Sequence, residues 1–357
     1  MGLWNWLVEK LTDVEPPPPA RRGGQTTGAG TCEGQAVAVL EEKPRPAAGG
    51  DPGNDGPWWA PTGDTLTEPV EAVRPELSTE GRAMENLLIS HFDGHDLRLP
   101  PLLHVAEAVL PKLGDPGCDL GTVGRLLSED QVVAAAVLRM ANSPLYRGLN
   151  KITALRPAIT RLGVRALRTL LMHESLRAAM FTRRGAGHAY ARDIWRRALA
   201  SACIMHGLSD FVDIDKEDAS LIGLLHDIGN VMVLRIVLGD RLAPRYEIDT
   251  ATFDYLCHEC HQEFGELIAD AWSLPAELKA IIADHHQPPS PDDPLRTPRL
   301  LVELTDMINA LLGYTQYQPY DLRRSRAAVA LGLPDNDRFV NFLTTLPDQV
   351  CEMVDML

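Results

Sequence analysis

Residues 218 to 238 read "DASLIGLLHDIGNVMVLRIVL", a stretch that is apolar on nearly every side yet carries His226 and Asp227 together at its centre. A helix that is hydrophobic all round must be enclosed by other elements. An ionisable pair inside such a segment costs several kcal/mol unless it is hydrogen-bonded or metal-bound. The stretch therefore sets two conditions on the fold: enough neighbouring helices to bury it, and polar partners brought to its centre from elsewhere in the chain.

The rest of the chain supplies the helices. After Met84 the segments "VVAAAVLRMANS" and "ALRTLLMHESLRAAMF" place apolar residues at a spacing near 3.6 among good helix formers, and no sustained period-two alternation is present. Breaks fall at "LGDPGCD", "NSPLYRGLNKI", "RRGAGH", "SLP" and "HQPPSPDDP". The expectation is an all-α multi-helix bundle over residues 84–312, with a helical extension over 313–357 packed on it. Residues 16–83 are rich in Pro, Gly and small polar residues and bury too little apolar surface to offset chain entropy, so they read as a disordered tether. Trp58 and Trp59 stand out within it, either as a docking element or as a contact with the folded part. Residues 1–15 are expected to form a short amphipathic helix in which Trp4, Leu7, Val8 and Leu11 would make one stripe, suited to docking on a partner.

Charge and cysteine usage narrow the function classes. A net charge of −15 and a pI near 5.2 oppose general nucleic-acid binding. The six cysteines are scattered in a chain large enough to need no disulfide, and reduced thiols are expected. The N-terminus lacks the features of an export signal, no apolar run approaches the length needed to span a bilayer, and the expected location is cytoplasmic. "CHECH", residues 257–261, spells the C-x-x-C-H pattern of covalent haem attachment, and Cys257 with Cys260 could ligate zinc. Haem attachment needs export, and a single C-x-x-C is a weak zinc signal. Two small side chains packed on a helix is the simpler reading. No Walker loop, dinucleotide fingerprint or G-x-S-x-G elbow is present.

Histidine and aspartate remain. Candidates to meet His226 and Asp227 are His261, His285, His286 and Asp306. Such an N/O set suits zinc, iron or manganese, holding one or two ions and activating water for phosphoester hydrolysis. A hydrogen-bonded polar core without metal satisfies the same residues. His285 and His286 are adjacent and project about 100° apart on a helix, so both need not face one site.

The stretches "VLRMANSPLYRGLNKITALRPAITRLGVRALRTLLM", "LIGLLHDIGNVMVL" and "IIADHHQPP", in this order, resemble an HDOD domain, a relative of the HD metal-dependent phosphohydrolases. The resemblance covers about residues 85–312 and implies an HD-type helical bundle acting in bacterial signal transduction. It implies that His226 and Asp227 are the HD pair, that Asp306 is the distal aspartate, and that His261, His285 and His286 match further metal histidines. Cys257 and Cys260 match no ligand position. Two departures point away from hydrolysis. Arg197 or a neighbour stands where HD enzymes have their upstream metal histidine, and a guanidinium has no lone pair to give; His206 is too far along the chain to substitute. Asn230 stands where catalytic HD-GYP relatives carry a phosphate-meeting lysine, and the GYP segment is missing. The resemblance thus implies a regulatory adaptor with no catalytic residues and no required cofactor, and a phosphohydrolase as the alternative.

Between Arg147 and Arg197 twelve Lys or Arg residues face only Glu174 and Asp193, and Arg161, Arg165 and Arg168 fall on one helical face. An acidic protein or a cyclic dinucleotide would suit that face, as would plain solvation; DNA is disfavoured by the acidic remainder. Signalling-protein partners are the first expectation.

Overall fold

The computed structural model describes residues 57–59, 65–69, 74–93, 97–115, 117–142, 151–181, 188–237, 249–316 and 318–354. The expected N-terminal helix of residues 1–15 and most of the tether lie outside these residues. Among the described residues thirteen α-helices run in order: α1 (Thr79–Asp93), α2 (His104–Leu113), α3 (Leu120–Leu127), α4 (Gln131–Asn142), α5 (Leu155–Met180), α6 (His188–Leu208), α7 (Lys216–Leu225), α8 (Asn230–Val237), α9 (Thr250–Ala271), α10 (Ala276–Asp284), α11 (Arg296–Leu311), α12 (Arg326–Ala330) and α13 (Asp337–Val354). Among the described residues the sole β pairing is an isolated parallel bridge between Leu66 and Tyr320. The all-α expectation holds.

Two apolar cores are joined by α5. Its first half packs with α2, α3 and α4 around Val123, Val137, Met140 and Ile159, and its second half enters a larger core built from α1 and α6 to α13. The change of direction falls at Gly163, whose φ of 77° lies in the left-handed region where a side chain is strained. The larger core centres on fully buried Trp195, flanked by His173 and Phe181 with ring centroids at 4.9 and 6.2 Å.

The opening stretch sits inside this core. Lys216–Val237 is long and apolar enough to cross a membrane by length and composition, contrary to the expectation that no run approaches that length. Most of it is buried within the protein, and the chain turns at residues 226–229 between α7 and α8. Enclosure by neighbouring helices satisfies its apolar surface, which is the first condition the sequence set. Asp215 starts α7 by accepting hydrogen bonds from the amides of Glu217 and Asp218.

The structure differs from the expected segment boundaries. The first described helix begins at Thr79, ahead of Met84. Trp58 and Trp59, placed in the tether, pack against the large core, and the Trp58 indole donates to the carbonyl of Leu343 at 3.0 Å. The C-terminal residues add α12, which buries Ala327 and Ala328, and α13, whose Phe339, Leu343, Leu346 and Val350 are fully buried in the same core.

Candidate metal centre in a helical pocket

The turn between α7 and α8 places the His–Asp pair. Gly229 at its end lies so close to α9 that a Cβ there would stand 1.8 Å from the carbonyl oxygen of His261 and 2.6 Å from the amide nitrogen of Gly265. Only glycine permits that backbone approach. The approach brings Asp227 Oδ1 to 3.4 Å from His261 Nε2 on α9. His285 caps the C-terminus of α10 and His286 follows it, so both project from a helix end and not from a continuous helix wall. Asp306 comes from α11.

All the candidates converge. His226 Nε2 lies 3.3 Å from Asp306 Oδ1 and 3.8 Å from Asp227 Oδ1. His285 Nε2 is 3.5 Å from Asp227 Oδ1 and 3.1 Å from His261 Nε2, which is also 3.1 Å from His286 Nε2. The ligand atoms of His261, His285 and His286 form one compact trio, and those of His226, Asp227 and His285 form a second.

The second ring nitrogens fix the tautomers. His226 Nδ1 meets the carbonyl of Gly223 at 2.9 Å, His261 Nδ1 meets those of Cys257 and His258, and His285 Nδ1 meets that of Ile282 at 3.1 Å. A carbonyl only accepts, so each Nδ1 carries the proton; Nε2 of His261 and of His285 is then the lone-pair atom of a neutral ring, whereas His226 Nε2, held between the Asp306 and Asp227 carboxylates, carries a proton that an ion would have to displace. Bare lone pairs 3.1 Å apart repel, and a cation between them turns the contact into attraction. Imidazoles oriented by backbone carbonyls around a shared carboxylate form the support that metal-ligating histidines require. The residues fit a divalent ion of the zinc, iron or manganese kind.

Charges respond to this crowding. Burial pushes the Asp227 carboxyl up, but His226, His261 and His285 outweigh it and hold it well below the usual range. Burial pushes His226 down, but Asp227 and Asp306 outweigh it and raise it to about 9. For His261 burial prevails, bringing it to about 4; desolvation and the neighbouring His285 and His261 bring His286 to about 3, although that residue reaches solvent.

Asp227, His261, His285, His286 and Asp306 line a cavity of about 680 Å³. Arg197 lines its wall, donating to the carbonyl of Tyr314 at 3.3 Å and facing Asp254 at 3.7 Å. Burial works against its charge, but Asp254, Asp227 and Asp306 outweigh it and raise its pKa. Asn230, buried in the same wall, has a side-chain carbonyl with no hydrogen-bond partner. Both departures from the HD pattern therefore face the pocket. Sequence reading did not assign Asp254, His258 or Glu303 to it. The first two stand with His261 at i, i+4 and i+7 on α9, a stripe legible in the sequence; Glu303 lies one turn before Asp306 on α11.

Two other motifs resolve differently. Cys257 and Cys260 are buried and join neither group of ligand atoms, and burial drives both thiols up, Cys260 to about 12, which disfavours the thiolate that zinc would need. The basic stripe braces the fold: Arg165 pairs with Asp215 at 2.5 Å, Arg168 with Asp218, and Arg161 donates to the carbonyl of Ala141 at 3.2 Å. Those contacts spend much of its cationic character within the chain.

A pH dependence follows from His206, remote from the cluster and hydrogen-bonded to Ser220 at 3.1 Å. Burial, with Lys216 adding to it, lowers this histidine from 6.5 to about 4. Below pH 6.5 the unfolded chain takes up the proton while the fold does not, so stability is lost progressively between pH 6.5 and 4. His206→Gln, which keeps a side chain able to reach Ser220, is expected to flatten that part of a curve of thermal midpoint against pH.

An all-helical bundle with a His–Asp turn buried against further histidines defines an HD-type domain. The chain belongs to the HDOD family, whose model matches residues 99–288. It resembles the crystal structure of a candidate metal-dependent phosphohydrolase from Shewanella amazonensis SB2B, with a TM-score of 0.63 and 19% identity over 78% of this chain and 99% of that one. An HDOD domain protein of unknown function from Geobacter sulfurreducens gives 0.55 at 21% identity over 76% and 98%. A candidate signal transduction protein from Marinobacter aquaeolei VT8 gives 0.54 at 21% over 78% and 66%. A curated but uncharacterized protein of Treponema pallidum (strain Nichols) is 24% identical over 276 residues, 71% of this chain, and the match spans half that protein's length.

Proposed function

We propose that this HDOD protein is a regulatory module of signal transduction whose pocket binds an anionic ligand over a single divalent ion without turning it over, and whose output is contact with protein partners. The observation that carries the reading is Arg197 in the cavity wall, paired with Asp254 and the Tyr314 carbonyl, where the HD pattern has a metal histidine. His285 adds to it. With Nδ1 held by the Ile282 carbonyl it has one nitrogen left, so it cannot serve both trios through that atom at once. One ion beside a fixed guanidinium suits holding an anion; two ions clamping both oxygens of an in-line displacement is a different design. When bound, the ion would supply positive charge in the pocket.

A second reading, a metal-dependent phosphohydrolase, is favoured by the convergence of His226, Asp227, His261, His285, His286 and Asp306 on one point. Incubation of the full chain with manganese, iron(II) or zinc and a panel of phosphomonoesters, phosphodiesters and cyclic dinucleotides separates the two. The expected result is turnover no faster than that of Asp227→Ala. Turnover abolished by Asp227→Ala would replace the regulatory reading with the hydrolytic one.

A further inference from the structure

Three of the histidines stand at coordination spacing from one another. A tetrahedral ion with metal–nitrogen bonds of about 2.0–2.1 Å sets its ligand nitrogens about 3.3 Å apart and the centres of their imidazole rings about 5 Å apart. The Nε2 atoms of His261 and His285 are 3.1 Å apart, as are those of His261 and His286, and the ring centroids of the two pairs lie at 5.0 and 4.9 Å. His226 stays outside this set, because its Nδ1 and Nε2 meet the Gly223 carbonyl and Asp306. Three imidazoles leave a tetrahedral ion one position short. What fills that position decides whether the ion can act on water.

A fourth imidazole stands beside the trio. His258 precedes His261 on α9 by three residues, the spacing that puts two side chains on one helical face. Its ring centroid is 5.2 Å from that of His286 and 6.1 Å from that of His261. The first distance matches tetrahedral spacing and the second exceeds it by about 1 Å. His258 is half-buried and lines the cavity, so rotation about its side-chain bonds can close that gap. Its backbone carbonyl accepts from His261 Nδ1 at 2.9 Å, so the same residue orients one ligand while presenting its own ring.

Building on the reading of the pocket as an ion-holding site without turnover, we propose that His258 is the fourth ligand of an all-imidazole site with His261, His285 and His286. In that place it closes the ion to water, so the ion adds fixed positive charge to the pocket and provides no nucleophile. Four imidazoles suit zinc, copper or nickel better than magnesium or manganese, which favour oxygen ligands. The competitor for the fourth position is Asp227, whose Oδ1 is 3.4 and 3.5 Å from Nε2 of His261 and His285. That oxygen groups with His226 and His285 and is not part of the compact trio, whereas His258 approaches the trio from the side of His286.

Cobalt(II), whose visible absorption reports its coordination, tests the site in the full chain. Wild-type protein loaded with an equimolar amount of cobalt is expected to show the intense bands of a four-coordinate ion. Azide, a small anion that binds an open position on cobalt, should leave those bands unchanged. Two variants remove the nitrogens of residue 258: His258→Ala, and His258→Phe, which keeps a ring against His261 and His286. Both retain the backbone carbonyl that orients His261, and their circular dichroism should match wild type. In both, zinc affinity measured against a chromophoric chelator is expected to fall about tenfold or more, since loss of even an outer-shell partner costs about 10–100-fold, and the cobalt bands should now respond to azide. Zinc affinity unchanged in both variants would overturn the proposal and leave Asp227 as the fourth ligand. Weakening in His258→Ala but not in His258→Phe would overturn it too, by assigning the effect to packing. An azide response in a wild-type protein that holds one ion would overturn the fourth ligand alone, and a wild type that takes up neither zinc nor cobalt would remove the ion from the pocket reading as well.

Discussion

Gly229→Ala is expected to destabilise the protein by more than about 4 kcal/mol, enough to leave little folded chain at physiological temperature. A methyl group there would enter the carbonyl of His261 and the amide of Gly265, both backbone atoms of α9. Backbone cannot rotate away as a side chain can, so relief requires the α7–α8 turn to lift off α9. Lifting it separates Asp227 from His261 and opens the apolar stretch that α9 covers. Gly163→Ala provides the contrast. Its Cβ would meet nothing within 4 Å, and its cost comes from a φ of 77° with ψ of 173°, a glycine region, about 2 kcal/mol. Urea unfolding of the three proteins checks the pair. A Gly229→Ala protein with a midpoint close to that of Gly163→Ala would show that the turn does not need the close approach.

How much of this was legible beforehand depended on the range of the interaction involved. The all-α class followed from local periodicity, and the convergence of His226, Asp227, His261, His285, His286 and Asp306 followed from placing a motif, since each is a helix or turn residue at a recognisable offset. Asp254 and His258 share a helical face with His261 and could have been read from the same periodicity. The place of Pro69 and Pro75 in the pocket lining could not. It goes with pairing between residues more than two hundred positions apart, which composition conceals: the same Pro- and Gly-rich character that argues for a tether also suits short stretches whose backbone bonds are made to another segment. The membrane-length test failed for a related reason. Hydropathy measures what a segment must avoid, and a core can shield it from water as well as a bilayer can. The basic stripe of Arg165 and Arg168 looked available because Asp215 and Asp218, its partners, lie fifty residues downstream.

The purified full chain supplied with zinc or manganese is expected to retain about one ion, and His261→Ala about none. His261 is the residue to remove because its Nε2 alone is within 3.5 Å of Asp227, His285 and His286, so its loss breaks the trio and one carboxylate contact together. At an ion concentration a hundredfold above Kd the bound form gains about 2.7 kcal/mol over the free form, and the thermal midpoint should rise accordingly in wild type and not in the variant. Arg197→His carries the argument further. It replaces a group that cannot ligate by one that can, beside Asp227 and Asp306, whose charges already act on position 197. If the guanidinium is what limits the site, the variant should take up more than one ion, with His226, Asp227 and Asp306 freed to hold the second. An unchanged stoichiometry would place the limit at His285, whose single available nitrogen both trios require. A wild-type protein that holds no ion at any concentration would remove the metal from the proposed function and leave His226, protonated up to about pH 9 between two carboxylates, as the cation that the cluster was built around.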